Sequence, residues 1–518
     1  MRKFRRITLI GLCSALAILA GGAASAEPAG GSVVRTADGP VRGTVADGHR
    51  VFYGIPYAAP PTGNLRWRAP QPAKSWQGVR DATVQGSFCP QTGYGGPPVM
   101  GNEDCLFVNV TTPERPARRL PVMVFVHGGG FFGGTGSPFN AERVAEQGDV
   151  VVVTLNYRLG ALGFLSHPAL SDPHAGNFGI ADQQAALRWV QRNAAAFGGD
   201  PGNVSLWGES AGAFSVCSQL ASPGARGLFH KAIIHSGPCA NSFITAPVAR
   251  QRGRVIAEDL GCTGNNVVEC LRAKPVEDLV GLNEDQAYRV NRYTAGLPWQ
   301  PVVGTPVLPV QPLTALRTGT AARVPLIHGG TKDEQRSFVA SAYDGAGEPL
   351  TAEQYPEAVR ALYGKETAKV LAEYPVADYL SPGIALATLV GDEGRMLGTC
   401  NQLPVDEAAS RWAPVYAYEF AQPTIDTIGD FPLGAKHGAD IPSFFDSKWP
   451  DRPPSVPPAG EKKVFADKLI SYWTTFAKTG NPGGGWAPYR EGNALSFSIA
   501  EIKEIDVSAA HKCGFWNR

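Results

Sequence analysis

The chain has 518 residues, and its 47 Lys and Arg against 46 Asp and Glu leave a net charge of +1. That balance lacks the basic surplus a nucleic-acid partner demands. Glycine (61) and proline (43) are frequent, yet 43% of residues are hydrophobic, which excludes a disordered chain and suits a large, loop-rich globular protein.

The N-terminus is set apart. Arg2, Lys3, Arg5 and Arg6 precede an apolar run from Ile7 to Ala20, and Ala24-Ser25-Ala26 offers a small-x-small cleavage site. This pattern predicts an export signal over residues 1–26 and a secreted mature chain, a single domain over 27–518. The run is short for a membrane span, so no stable anchor is expected after cleavage. Arg5-Arg6 leaves the twin-arginine and general export routes both open. Cys13 departs with the signal, and Leu12 before it is too large for a lipoprotein signal. Cys89, Cys105, Cys217, Cys239, Cys262, Cys270, Cys400 and Cys513 remain, an even set that reads as disulfides in an exported chain. Neither Cys-x-x-Cys nor His-x-x-x-His occurs, so no metal or cofactor is expected.

From Val33 to Tyr57, apolar and polar residues alternate between Asp38-Gly39 and Asp47-Gly48, which predicts a small N-terminal antiparallel sheet. A Pro-rich loop follows from Ala58 to Pro72, and Leu106 to Val110 reads as a short strand. Leu120 to Val126, Val150 to Leu155, Val204 to Trp207, Ala232 to Ile234, Val324 to Ile327 and Val415 to Phe420 are continuous apolar runs of strand length. Such runs fit a sheet covered on both faces. Leu187, Val190, Ala194 and Phe197 mark a helix from about Ala181, ended by Gly198-Gly199. A second helix carries Phe465, Leu469, Trp473 and Phe476 and stops at Gly480 and Pro482. The alternation predicts an α/β fold with a large, mostly parallel central sheet, and residues 240–320 and 335–410 read as helical insertions.

The chemistry centres on Val204-Ser205-Leu206-Trp207-Gly208-Glu209-Ser210-Ala211-Gly212, a strand that reverses through Gly-x-Ser-x-Gly into a helix-compatible run from Ala213 to Ala221. Small residues flanking Ser210 permit a sharp turn that exposes its hydroxyl as a nucleophile. Attack on a carbonyl needs donors for the developing oxyanion. His127-Gly128-Gly129-Gly130, just after a strand, can present backbone N–H groups, and the Ala211 N–H adds another. Gly128, Gly130 and Gly133 also satisfy a dinucleotide fingerprint, but the next strand ends in Asn156 instead of an acid, which argues against it. The expected order is serine, acid, histidine. His437, in a glycine-flanked loop after the strand Val415 to Phe420, suits the base better than His511, which reads as tail. The acid should close a strand between them, and Asp333 and Glu334 fit equally by position.

With these segments in place, the sequence resembles the type-B carboxylesterase/lipase family, which includes the cholinesterases. The resemblance rests on Tyr53-Gly54-Ile55-Pro56-Tyr57-Ala58 with Leu65-Arg66-Trp67, and on Glu103-Asp104-Cys105-Leu106-Phe107-Val108-Asn109-Val110. Asn156-Tyr157-Arg158-Leu159-Gly160, Gly176-Asn177-Phe178-Gly179 and Phe197-Gly198-Gly199-Asp200-Pro201 extend it over essentially the whole mature chain. It implies an α/β-hydrolase fold and a serine carboxylesterase acting on small-molecule esters. Carried over by residue, it implies Ser210 as nucleophile, His437 as base and Glu334 as the orienting acid. Gly129, Gly130 and Ala211 become oxyanion donors, while Glu209 and Ser236 become supporting groups behind the triad. It further implies Cys89–Cys105, Cys262–Cys270 and Cys400–Cys513 disulfides, and leaves pairing of Cys217 with Cys239 open. The loop from Cys89 to Cys105 contains Tyr94 but no tryptophan, which argues against the cholinesterase type of cation–π choline site. Other readings are a lipase of long acyl chains and a non-catalytic, neuroligin-like binding module, although the latter typically lacks the nucleophile. Phe131, Phe132 and Trp299 are candidates for lining the pocket.

Overall fold

A computed structural model describes residues 31–93, 96–115, 118–282, 299–393, 396–447 and 455–516. The export-signal expectation falls outside these residues.

Strands β1 (Gly31–Arg35), β2 (Pro40–Ala46), β3 (His49–Pro56) and β4 (Phe107–Pro113) pair antiparallel in sequence order. The two hairpins turn at Asp38-Gly39 and Asp47-Gly48. After β4 come β5 (Leu120–Val126), β6 (Val151–Leu155), β7 (Gly199–Glu209), β8 (Lys231–His235), β9 (Leu326–Thr331), β10 (Val415–Phe420), β11 (Asn493–Phe497) and β12 (Ile502–Asp506). The order across the sheet is β1-β2-β3-β4-β6-β5-β7-β8-β9-β10-β11-β12, with Arg80–Asp81 beside β2. From β6 to β11 every pairing is parallel, so the N-terminal antiparallel strands continue into the parallel part through β4.

Two cores follow from the strand period of two. Val122, Val124, Val126, Val204, Leu206, Ala232 and Ile234 face one side, where helices α1 (Phe178–Asn193) and α2 (Ala211–Ala221) cover them. Met123, Phe125, Trp207 and Ile233 face the other. There Phe465, Leu469, Trp473 and Phe476 of the helix Gly460–Thr479 close over them. Continuous apolar strands are required because both faces are dry.

Boundaries shift for local reasons. Strand β7 begins at Gly199, ahead of the apolar run, because Gly199 pairs with Leu120 before the register shifts and resumes at Val204. Strand β9 starts at Leu326, since Pro325 has no N–H to give a ladder. The helices Arg336–Ala342, Tyr355–Tyr363, Thr367–Glu373 and Pro382–Asp392 pack a separate core around Val359, Val370 and Leu386, as the helical reading of 335–410 anticipates.

The cysteines join as Cys89–Cys105, Cys217–Cys239, Cys262–Cys270 and Cys400–Cys513. The pairing left open by the sequence thus clamps α2 to the segment after β8. No helix among the described residues is long and apolar enough to cross a membrane.

Candidate active site

The candidate residues gather at the carboxyl ends of parallel strands, where open α/β sheets place their ligand sites. Ser210 follows β7 directly, with φ 56° and ψ −121°. This left-handed conformation is costly for a residue with a Cβ and is held by the surrounding structure. Its N–H donates to the His235 carbonyl at 2.9 Å, and its own carbonyl accepts the Phe214 N–H at 3.0 Å. Gly212 is required for the reversal, since a Cβ there would lie 2.0 Å from the Val126 carbonyl oxygen.

The glycine loop after β5 meets this elbow. A Cβ on Gly128 would lie 2.9 Å from the Ser210 Cβ and 2.5 Å from Glu209 Oε2, so only glycine allows the approach. Among the described residues, no hydrogen bond uses the N–H of Gly129 or Gly130. Ala211 opens α2, where first-turn N–H groups have no partner within the helix. Among the described residues, three backbone donors therefore stay free where the glycine loop meets the elbow.

The two adjacent acids after β9 separate cleanly. Glu334 is fully buried, its Oε1 accepting the Thr331 N–H at 2.8 Å while Oε2 lies 2.5 Å from His437 Nδ1. Asp333 instead accepts the Ala435 N–H at 2.8 Å and pairs with Arg336 at 2.9 Å, which pins the loop that carries His437. On the far side of the ring, Nε2 faces Glu209 Oε1 at 3.2 Å. No hydrogen bond joins Ser210 Oγ to His437 among the described residues. Phe338, half exposed, sets its ring 5.5 Å from the His437 ring. Ser236 is fully buried and gives its N–H to the Gly329 carbonyl at 2.8 Å, but among the described residues its Oγ has no hydrogen-bond partner.

Burial alone would depress the His437 imidazolium. The carboxylates of Glu334 and Glu209, with Asp440 behind them, outweigh it and pull the group up to about 9. Burial pushes Glu209 up to about 7 against the opposing pull of His437. The ring, held between two carboxyl groups, thus sits where its protonated form is favoured. A base must be neutral to accept a proton, so kcat/KM should rise with pH through the neutral to alkaline range. Glu209→Gln removes one of the anions that favour the imidazolium, and we expect the acid limb of kcat/KM to move to lower pH. A limb that stays put or moves up would show that Glu209 does not act on His437.

The carboxylesterase family profile matches residues 30–516. The chain belongs to the carboxylesterase family. Among relatives, it is 36% identical over 476 residues to para-nitrobenzyl esterase of Bacillus subtilis (strain 168), covering 89% of this chain and 93% of that protein. It is 34% identical over 465 residues to phenmedipham hydrolase of Pseudarthrobacter oxydans, covering 87% and 90%. A solved PNB esterase structure superposes with a TM-score of 0.78 at 34% identity, covering 93% of this chain and 99% of that one. The protein is therefore a carboxylic ester hydrolase with the α/β-hydrolase fold, acting on a small-molecule ester.

Two side chains that grip the loop after β5 have no role in the sequence reading of this site. Gln91 grips the glycine loop twice, its Oε1 accepting the Gly134 N–H at 2.7 Å and its Nε2 donating to the Gly134 carbonyl at 2.8 Å. Asn156 Oδ1 accepts from the Gly136 N–H at 2.8 Å and the Thr135 hydroxyl at 2.9 Å. No local pattern marks Gln91 beyond its place two residues after Cys89.

Other expectations need correction. Phe131 is fully buried against Phe164, with centroids 5.0 Å apart, and is a core residue. Trp299 is buried under the Arg252 guanidinium and lines a narrow cleft with Phe164 and Ile256. Phe132 does pack against Gly130. His511 is not tail: its Nδ1 lies 2.7 Å from Asp392 and its Nε2 2.6 Å from Glu419, in a buried cluster. Burial opposes its charge, but the two carboxylates pull it up to about 9.

Proposed function

We propose that the protein is a secreted serine carboxylesterase that works through an acyl-enzyme. The observation that carries this reading is the 2.5 Å contact between His437 Nδ1 and the buried Glu334. It fixes the ring so that Nε2 is left to handle a proton beside Ser210. Neutral His437 turns Nε2 from Glu209 to Ser210 Oγ and takes its proton as the oxygen attacks the ester carbonyl. The N–H groups of Gly129, Gly130 and Ala211 hold the oxyanion. The imidazolium then protonates the leaving alcohol, and water activated by the same ring releases the acid. Glu209 stabilises the positive charge that the ring carries between these steps, and Ser236 packs behind the acid. Four disulfides and the basic-apolar start of the sequence support export, with residues 1–26 as the signal and 27–518 as one mature domain.

The test uses a fluorophosphonate probe and p-nitrophenyl esters of increasing acyl length, with a para-nitrobenzyl ester as a further substrate. We expect one probe per chain, attached to Ser210, and kcat/KM highest for short acyl groups. Labelling elsewhere, or none, would overturn the mechanism. A maximum at long acyl chains would replace esterase by lipase.

A further inference from the structure

The buried ring of His235 lies directly behind the elbow and takes no part in the mechanism above. It sits at the end of β8 with no exposure, enclosed by Trp207, Tyr418, Phe444 and Trp473 at centroid distances of 5.5, 5.3, 5.8 and 5.4 Å. Such an aromatic cage would suit a phenylalanine. A histidine there must account for two ring nitrogens.

Both have partners. The Trp473 Nε1–H donates to His235 Nε2 at 2.7 Å. An indole can only donate, so Nε2 must carry a lone pair and the ring proton must sit on Nδ1. Nδ1 lies 2.7 Å from Asp440 Oδ2, close though off the ideal hydrogen-bond axis. Asp440 is buried, and the Tyr418 hydroxyl donates to the same oxygen at 3.2 Å. The result is a neutral histidine with one fixed tautomer against a buried carboxylate.

The backbone places this pair between the two halves of the reaction. The His235 carbonyl accepts the Ser210 N–H, and Asp440 stands three residues after His437 in the same loop. Among the described residues no hydrogen bond joins Ser210 Oγ to His437, so this side-chain contact is a separate link between elbow and base loop. Taking Ser210 and His437 as nucleophile and base, we infer that His235 and Asp440 are positioning residues that set the base loop against the nucleophile elbow. The Asp440 carboxylate also adds a third anion near His437, beside Glu334 on Nδ1 and Glu209 on Nε2.

The experiment compares Asp440→Asn and His235→Phe with the unmodified protein on p-nitrophenyl acetate, with rates normalised to the fraction titrated by fluorophosphonate so that misfolded chains do not count. Small misplacements of reacting groups cost roughly 100-fold. We expect His235→Phe, which fills the cage, to lower kcat about 10- to 100-fold with KM nearly unchanged. We expect Asp440→Asn, which keeps the shape, to shift the acid limb of kcat/KM to lower pH. A role in packing alone predicts unchanged kcat for His235→Phe and an unmoved limb for Asp440→Asn, and either result overturns the inference. If Ser210→Ala retains the activity of the unmodified protein, the underlying reading of the triad fails instead.

Discussion

Ser210→Ala should lower kcat for p-nitrophenyl acetate by about five to six orders of magnitude, by analogy with loss of the nucleophile in other serine hydrolases. The substitution tests chemistry and not folding. Alanine and serine both carry a Cβ, so both bear the same strain at φ 56°, and the hydroxyl removed makes no hydrogen bond among the described residues. The free N–H groups of Gly129, Gly130 and Ala211 stay in place, so a residue of activity over water, roughly 1,000- to 10,000-fold, should survive. Active-site titration and initial rates measure both quantities. A variant retaining more than about one percent of the rate would mean another group attacks the ester. Glu334→Gln should cost less, roughly four orders, because the serine and donors remain while the ring loses the partner that orients it.

The second large effect concerns stability. Arg158 and Asp182 form a buried bidentate pair, with Nε to Oδ2 and Nη2 to Oδ1 both at 2.7 Å. The Arg158 backbone N–H also reaches Oδ2 at 3.1 Å, and Nη1 donates to the Arg68 carbonyl at 2.9 Å. Removing the carboxylate leaves a buried guanidinium without its counter-ion. Asp182→Ala should therefore destabilise the protein by about 3–5 kcal/mol, seen as a lower urea midpoint. Replacing both partners by apolar residues, Arg158→Met with Asp182→Leu, should cost less than Asp182→Ala alone. The opposite ordering would show that the pair contributes net stability. The Gly160 N–H, two residues on from Arg158, donates to the Phe131 carbonyl at 2.7 Å, so loss of the pair also loosens support under the glycine loop.

The contrast between these two regions shows what the sequence makes legible. The elbow and the central strands are local: an apolar run, a glycine pair and a helix-forming run suffice to find α2 and β5 to β10, with shifted starts at β7 and β9. The order β4-β6-β5-β7 is not local, because it depends on which strand slots between which others. Gln91, His235 and Asp440 acquire their neighbours only through that order. Phe131 misleads for the same reason, since a residue beside the glycine loop can point to the core as readily as to the pocket. Asp333 and Glu334 could not be told apart by position because a turn of one residue sends one to the ring and the other to the loop backbone.

The contacts at this site also set a schedule. Glu334 and His437 are 103 residues apart in the chain, and His235 and Trp473 are 238 apart. With Ser210 as the proposed nucleophile and His437 as the proposed base, a growing polypeptide that has already produced Ser210 and its glycine loop still lacks the base. The helix that locks the His235 tautomer is made later still. On the proposed mechanism, ester cleavage is therefore withheld from unfinished chains by the order of synthesis itself, and it switches on only when distant parts of the sequence have met.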